Sequence, residues 1–195
     1  SNQTAMLLFA LIIIIYTFLG GYKAVCWTDF FQGLLMLVAV LAIPIMIVAT
    51  EQLDTGLLSK VIVGNDGTEY AFGSSLFTAS WKDIASGLAW GLGYFGMPHI
   101  IVRFMSIEKA SMVKKSATVA IIWVVLSLGS VCLIAYFGRM LVAEELLANG
   151  MQKTIFITLA RRLFPAFIAG VLLAAIMAAS MSTADSQMLA AASSV

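Results

Sequence analysis

Charge is what this 195-residue sequence has least of. Eleven lysines and arginines, ten acidic residues and one histidine leave 11% of the chain charged and a net charge of +1. Soluble domains carry roughly 25% charged residues. With so little charge and no basic run longer than two residues, nothing steers a polyanion, so nucleic acid is excluded as a partner. There are two cysteines, Cys26 and Cys132, each in or beside an apolar stretch, where they read as small hydrophobes with no disulfide between them. Prolines number three. No nucleophile–base pair, metal-ligand spacing or phosphate-cradling loop is present, so an enzyme is not expected. The spacing of Gly91, Gly93 and Gly96 matches a dinucleotide-binding fingerprint, but it follows no strand and lies in an apolar segment. The single histidine, His99, makes no metal site by itself and reads as a hydrogen-bonded structural group.

What the sequence has in abundance is hydrocarbon. Apolar residues make up 62% of it, and the mean hydropathy is +1.02. A helix needs about 20 apolar residues to cross a bilayer, so the length accommodates roughly five spans with loops. The expected fold class is all-α, a polytopic transmembrane helical bundle. The apolar runs place spans near residues 5–19, 28–49, 81–105, 116–137 and 166–195. The first is short and the last ends while still helical in pattern, so the chain reads as an interior piece of a longer membrane protein, cut inside its first and last helices.

Between the spans, Gly20-Gly21 break the first helix, and residues 22–29 form a connector or helix entry. Pro44 kinks the second span. Residues 50–80 are polar, and the turn signal Asn65-Asp66-Gly67 between 61–63 and 70–72 predicts a small hairpin. Within 138–165, Ile155, Phe156, Leu159, Leu163 and Phe164 recur at helical spacing around Arg161 and Arg162. That pattern predicts an interfacial helix closed by Pro165. Lys109, Lys114 and Lys115 in the short turn 106–115 favour its cytoplasmic placement.

Polar groups in hydrocarbon are costly, which makes each a functional candidate. In the last span Ser182 and Thr183 follow Ala179 by three and four positions and share its helical face. Two hydroxyls and a carbonyl suit a hard cation of low charge density such as sodium. Small and hydroxyl residues also permit close helix packing, and the pattern alone leaves both readings open. Trp90, Tyr94 and Pro98 fall at i, i+4 and i+8 beside Gly91, Gly93 and Gly96. They form either an aromatic stripe lining a small-solute pocket or an interfacial belt with a packing seam. Asp29 either caps the second span through its backbone amides or attracts cations at a pore mouth. Asp185 is a carboxylate at a depth where it needs a partner, a proton or water.

Taken in order, the segments YTFLGGYKAVCWTDFFQ, GLAWGLGYFGMPHIIVRFM and LFPAFIAGVLLAAIMAASMSTADSQML resemble the sodium:solute symporter family, most closely its proline branch. The resemblance covers nearly the whole chain. It implies a leucine-transporter-like architecture of two inverted five-helix repeats, with this chain holding the end of the first repeat and three helices of the second. It further implies that 50–80 and 138–165 lie outside and 106–115 in the cytoplasm of a cell-membrane protein. By the same resemblance, the Ala179 carbonyl and the Ser182 and Thr183 hydroxyls ligate sodium, the coupling ion, with no other cofactor. Trp90, Tyr94 and Pro98 line the pocket for L-proline, and Asp29 marks sodium's inner route. Asp185, where the family pattern has a small residue, is expected to face water on the cytoplasmic side. The remaining sodium ligands belong to a first core helix outside this chain, so the chain alone is not expected to transport. Alternatives are another solute of the family (pantothenate, a sugar or a short carboxylate) and a symporter-like sensor module fused to a histidine kinase.

Overall fold

The computed structural model describes residues 2–71, 79–94 and 96–193. Helix dominates: α1 (Asn2–Thr50), α2 (Trp81–Tyr94), α3 (Pro98–Met105), α4 (Val113–Leu141), α5 (Ala143–Ala148), α6 (Ile155–Leu163) and α7 (Ala166–Ala192). Strands β1 (Ile62–Val63) and β2 (Glu69–Tyr70) form an antiparallel hairpin with Ile62 opposite Tyr70. Residue 72, at the edge of the hairpin expected from sequence, lies outside the described residues.

Among the described residues, three helical stretches are long and apolar enough to cross a membrane: Met6–Thr50, Ala110–Leu141 and Ala166–Ala192. The first holds 45 residues, about 68 Å at 1.5 Å per residue, more than twice the thickness of a hydrocarbon core. It is not one rod. Gly21 sits at φ 58° and ψ −162°, outside helical geometry, a conformation in which any side chain would be strained. Tyr16 and Asp29, thirteen positions apart, would stand about 20 Å apart on a straight helix. Instead they reach the adjacent residues Asp185 and Ser186 of α7. The kink therefore turns the two arms of α1, residues 2–20 and 22–50, onto the same point of α7. Residues 22–29, read from sequence as a connector or helix entry, are helical throughout.

The expected third span, 81–105, is two helices, of 14 and 8 residues. Pro98 is the cause: it has no N–H, and its ring would collide with the carbonyl four residues back, that of Tyr94. The Tyr94 carbonyl instead accepts from the Met97 amide (3.2 Å), and Pro98 starts α3 as an N-terminal residue, where its missing N–H costs nothing.

The chain divides into two compact units. One comprises residues 37–80 and 120–174. Its core gathers Ile43, Ile47 and Leu159, all fully buried, with Ile134, Phe137, Val142 and Leu146. Gly138 lets α4 and α6 close up, since a Cβ there would lie 2.3 Å from Ile155 Cδ1. Arg139 donates to the Lys60 and Tyr70 carbonyls (2.7 and 2.9 Å), fastening the hairpin region to the end of α4. Lys60 pairs with Glu144, and the Asn65 amide donates to the Leu147 carbonyl (3.1 Å). In the hairpin turn the Thr68 amide donates to Asp66 Oδ1 (3.0 Å), which holds the Asp66 carboxyl below the usual carboxylate range.

The other unit comprises residues 1–36, 81–119 and 175–195 and carries every candidate site residue. Its apolar side chains are widely exposed, among them Phe18 at 87% and Leu19 at 78%. Such surface suits a hydrocarbon solvent, and α-helices satisfy their own backbone there. The chain is a multi-pass membrane protein.

Candidate functional site

The α7 stretch around residues 179–187 lies within one uninterrupted helix. Ala179 and Thr183 share an open groove with Ser180, Ala184 and Gln187. The Thr183 hydroxyl donates to the Ala179 carbonyl at 3.2 Å. Those two oxygens therefore stand side by side; the Thr183 hydroxyl keeps lone-pair capacity for a cation, while the Ala179 carbonyl, which also accepts the helical amide of Thr183, would gain it when the hydroxyl turns away. Ser182 does not line that groove; it is half-buried, and its carbonyl accepts a 2.8 Å bond from the Ser186 hydroxyl. Of the three residues expected to ligate sodium, two line the groove and the third, half-buried, does not.

The aromatic stripe survives only in its first two members. Trp90 and Tyr94 are in contact on α2, with ring centroids 5.4 Å apart and a 34° interplanar angle. Both are exposed, Trp90 at 73% and Tyr94 at 44%. Pro98 is not on their helix, because the break it imposes separates it from them. His99, read as a hydrogen-bonded group, meets Tyr94 edge-on, with centroids 6.3 Å apart.

Asp185 contradicts its expected place. It is fully buried, with no face to water, and its Oδ2 accepts a 2.6 Å bond from the Tyr16 hydroxyl. A carboxylate removed from water needs such a donor, and the first arm of α1 supplies it. Asp29 is no cap either. The helical arm that holds it starts several residues earlier, so no free amides face it. Its side chain is only 7% exposed and forms an ion pair with Arg103 of α3.

Ser186 joins these groups. Arg103 donates to both Asp29 Oδ2 and the Ser186 hydroxyl oxygen, the latter at 2.5 Å. The Ser186 hydroxyl has one proton to give. The Ser182 carbonyl at 2.8 Å is its best acceptor, since Asp29 Oδ2 at 3.3 Å and Asp185 Oδ1 at 3.4 Å exceed the usual O–H···O range. Arg103 is thus linked through Ser186 to the backbone of Ser182. Asp29 Oδ1 is left buried with no partner, as are Thr17 Oγ1 and Gln32 Oε1. Sequence reasoning missed Arg103, Tyr16 and Ser186. The one available signal was that two carboxylates in apolar helices demand donors.

Among the described residues, no group of three or more His, Cys, Asp or Glu side chains gathers to hold a metal ion. The oxygens side by side in the groove are a hydroxyl and a backbone carbonyl, both uncharged.

The profile of the sodium:solute symporter family matches residues 1–195, the full length of the chain, and the chain belongs to that family. It is 40% identical over 192 residues to sodium/proline symporter 2 of Staphylococcus saprophyticus, covering 97% of this chain and 36% of that protein. It is also 40% identical over 190 residues to the sodium/proline symporter of Staphylococcus aureus, with the same shares covered. The chain spans about a third of the length of these curated relatives. No solved structure matches it.

Proposed function

We propose that the full-length protein is a secondary active transporter in which sodium moving inward drives uptake of L-proline across the cell membrane. The observation that carries this reading is 40% identity to sodium/proline symporters over 97% of the chain. Sodium sits against α7, held by the Ala179 carbonyl and the Thr183 and Ser182 hydroxyls, with its remaining ligands from a helix outside this chain. Proline lodges beside Trp90 and Tyr94, with Pro98 opening the helix backbone next to them. A broken helix of this kind bares amides and carbonyls to a zwitterion, as transporter sites near the bilayer midplane do. The architecture in this reading is the leucine-transporter-like inverted repeat, with 50–80 and 138–165 outside and 106–115 in the cytoplasm.

Coupling then follows from linkage. Sodium fastens α7 to its neighbour and completes the solute pocket, so each ligand raises the affinity for the other. The membrane potential supplies about 2.3 kcal/mol per charge per 100 mV, added to the sodium gradient. No co-reactant besides sodium is required.

The test is radiolabelled proline uptake by the full-length protein in vesicles, with sodium or choline outside and unlabelled pantothenate, sugars and short carboxylates as competitors. Sodium-dependent accumulation competed by proline alone is the expected result. Equal uptake in choline overturns the symport reading, and competition by another solute class overturns proline.

A further inference from the structure

We propose that Arg103 is the resident counter-ion of Asp29, displaced when sodium reaches that carboxylate and returning as sodium leaves, so that it sets how tightly the ion is held. This rests on the symport reading above and adds to it a positioning residue that lies outside both the sodium and the solute groups.

Four observations carry it. First, Asp29 is buried, its side chain 7% exposed, and such a charge cannot stand alone. Second, the cation facing it is far less enclosed: the Arg103 side chain is 47% exposed, so the guanidinium has room to swing off the carboxylate. Third, the Asp29 carboxylate is only half used. Oδ2 takes Arg103, while Oδ1 is buried with no partner, so an entering cation finds one oxygen free and the other contested. Exchange of one monovalent cation for another leaves the local charge unchanged, whereas both together place like charges against each other.

The fourth observation connects this exchange to the ion groove. Arg103 holds the Ser186 oxygen at 2.5 Å, and the same hydroxyl donates to the Ser182 carbonyl at 2.8 Å. Departure of the guanidinium frees Ser186 to turn its proton toward Asp29 or Asp185, whose oxygens stand 3.3 and 3.4 Å away. The Ser182 carbonyl then keeps its helical amide donor but sheds the hydroxyl, which frees one lone pair for a cation. Arg103 in place thus keeps both lone pairs of the Ser182 carbonyl engaged, and Arg103 withdrawn releases one of them beside the Ser182 and Thr183 hydroxyls.

The experiment uses the full-length protein reconstituted in vesicles, with sodium chloride titrated against choline chloride at constant ionic strength. Sodium half-saturation is read from proline uptake and from sodium-induced change in tryptophan fluorescence. Arg103→Ala is expected to bind sodium about fivefold or more tightly, the scale of a typical coupling between sites, and to slow net uptake. Arg103→Lys restores much of the original value, and Arg103→Ala combined with Asp29→Asn removes the gain. Unchanged sodium half-saturation in Arg103→Ala, or a change that persists without Asp29, overturns the proposal. If Arg103→Ala does not accumulate in the membrane, Arg103→Lys and Arg103→Gln are compared instead, and equal sodium half-saturation in those two overturns it. Loss of sodium dependence in the unaltered protein is a separate outcome that refutes symport itself.

Discussion

The Tyr16 phenol donates a 2.6 Å hydrogen bond to Oδ2 of Asp185, joining the first arm of α1 to α7 across 169 positions of sequence. Thirteen residues further along, beyond the kink at Gly21, Asp29 approaches the very next residue, Ser186. Two arms of one helix and a third helix are thereby pinned at a single point, one turn from the groove that holds Ala179 and Thr183.

Removal of the phenol tests that pin. Tyr16→Phe leaves a buried carboxylate oxygen without its donor, a loss of about 1–3 kcal/mol. Thermal unfolding of the purified full-length protein is expected to shift downward for Tyr16→Phe. The double variant Tyr16→Phe/Asp185→Ala, with no stranded oxygen, should recover part of the loss. Identical melting of Tyr16→Phe and the unaltered protein would show that the bond contributes nothing.

Trp90 and Tyr94 are in contact with each other and exposed, so neither supports the core of its unit. Trp90→Ala is therefore expected to leave membrane abundance unchanged and to raise the proline half-saturation, with a smaller effect on the sodium half-saturation. A proline half-saturation equal to that of the unaltered protein removes these rings from the solute pocket.

Much of the architecture was legible because the bilayer imposes long apolar runs and permits few breaks. The Gly20-Gly21 break, the hairpin turn at Asn65-Asp66-Gly67 and the amphipathic helix before Pro165 each have local causes, and each has its counterpart in the structure. Pro98 had a local cause too. Periodicity put it on a stripe with Trp90 and Tyr94, while its clash with the Tyr94 carbonyl required a new helix there. The polar interior was not legible in the same way. That Asp29 and Asp185 need partners follows from burial alone, but Arg103 lies 74 positions from Asp29 and Tyr16 lies 169 from Asp185. No local pattern encodes either pairing. Asp185 also shows the limit of reasoning from a carboxyl group to water, since it is fully buried and a phenol takes water's place at its Oδ2.

The central claim, that oxygens of α7 hold the coupling ion, is tested most directly by the sodium dependence of proline uptake in the full-length protein with Thr183→Ala or Ser182→Ala. Both side chains are small and no apolar core depends on them, so folding should be preserved while the sodium half-saturation rises about tenfold, the loss of one charge-assisted contact of roughly 1.4 kcal/mol. A sodium half-saturation unchanged in both variants would contradict the account.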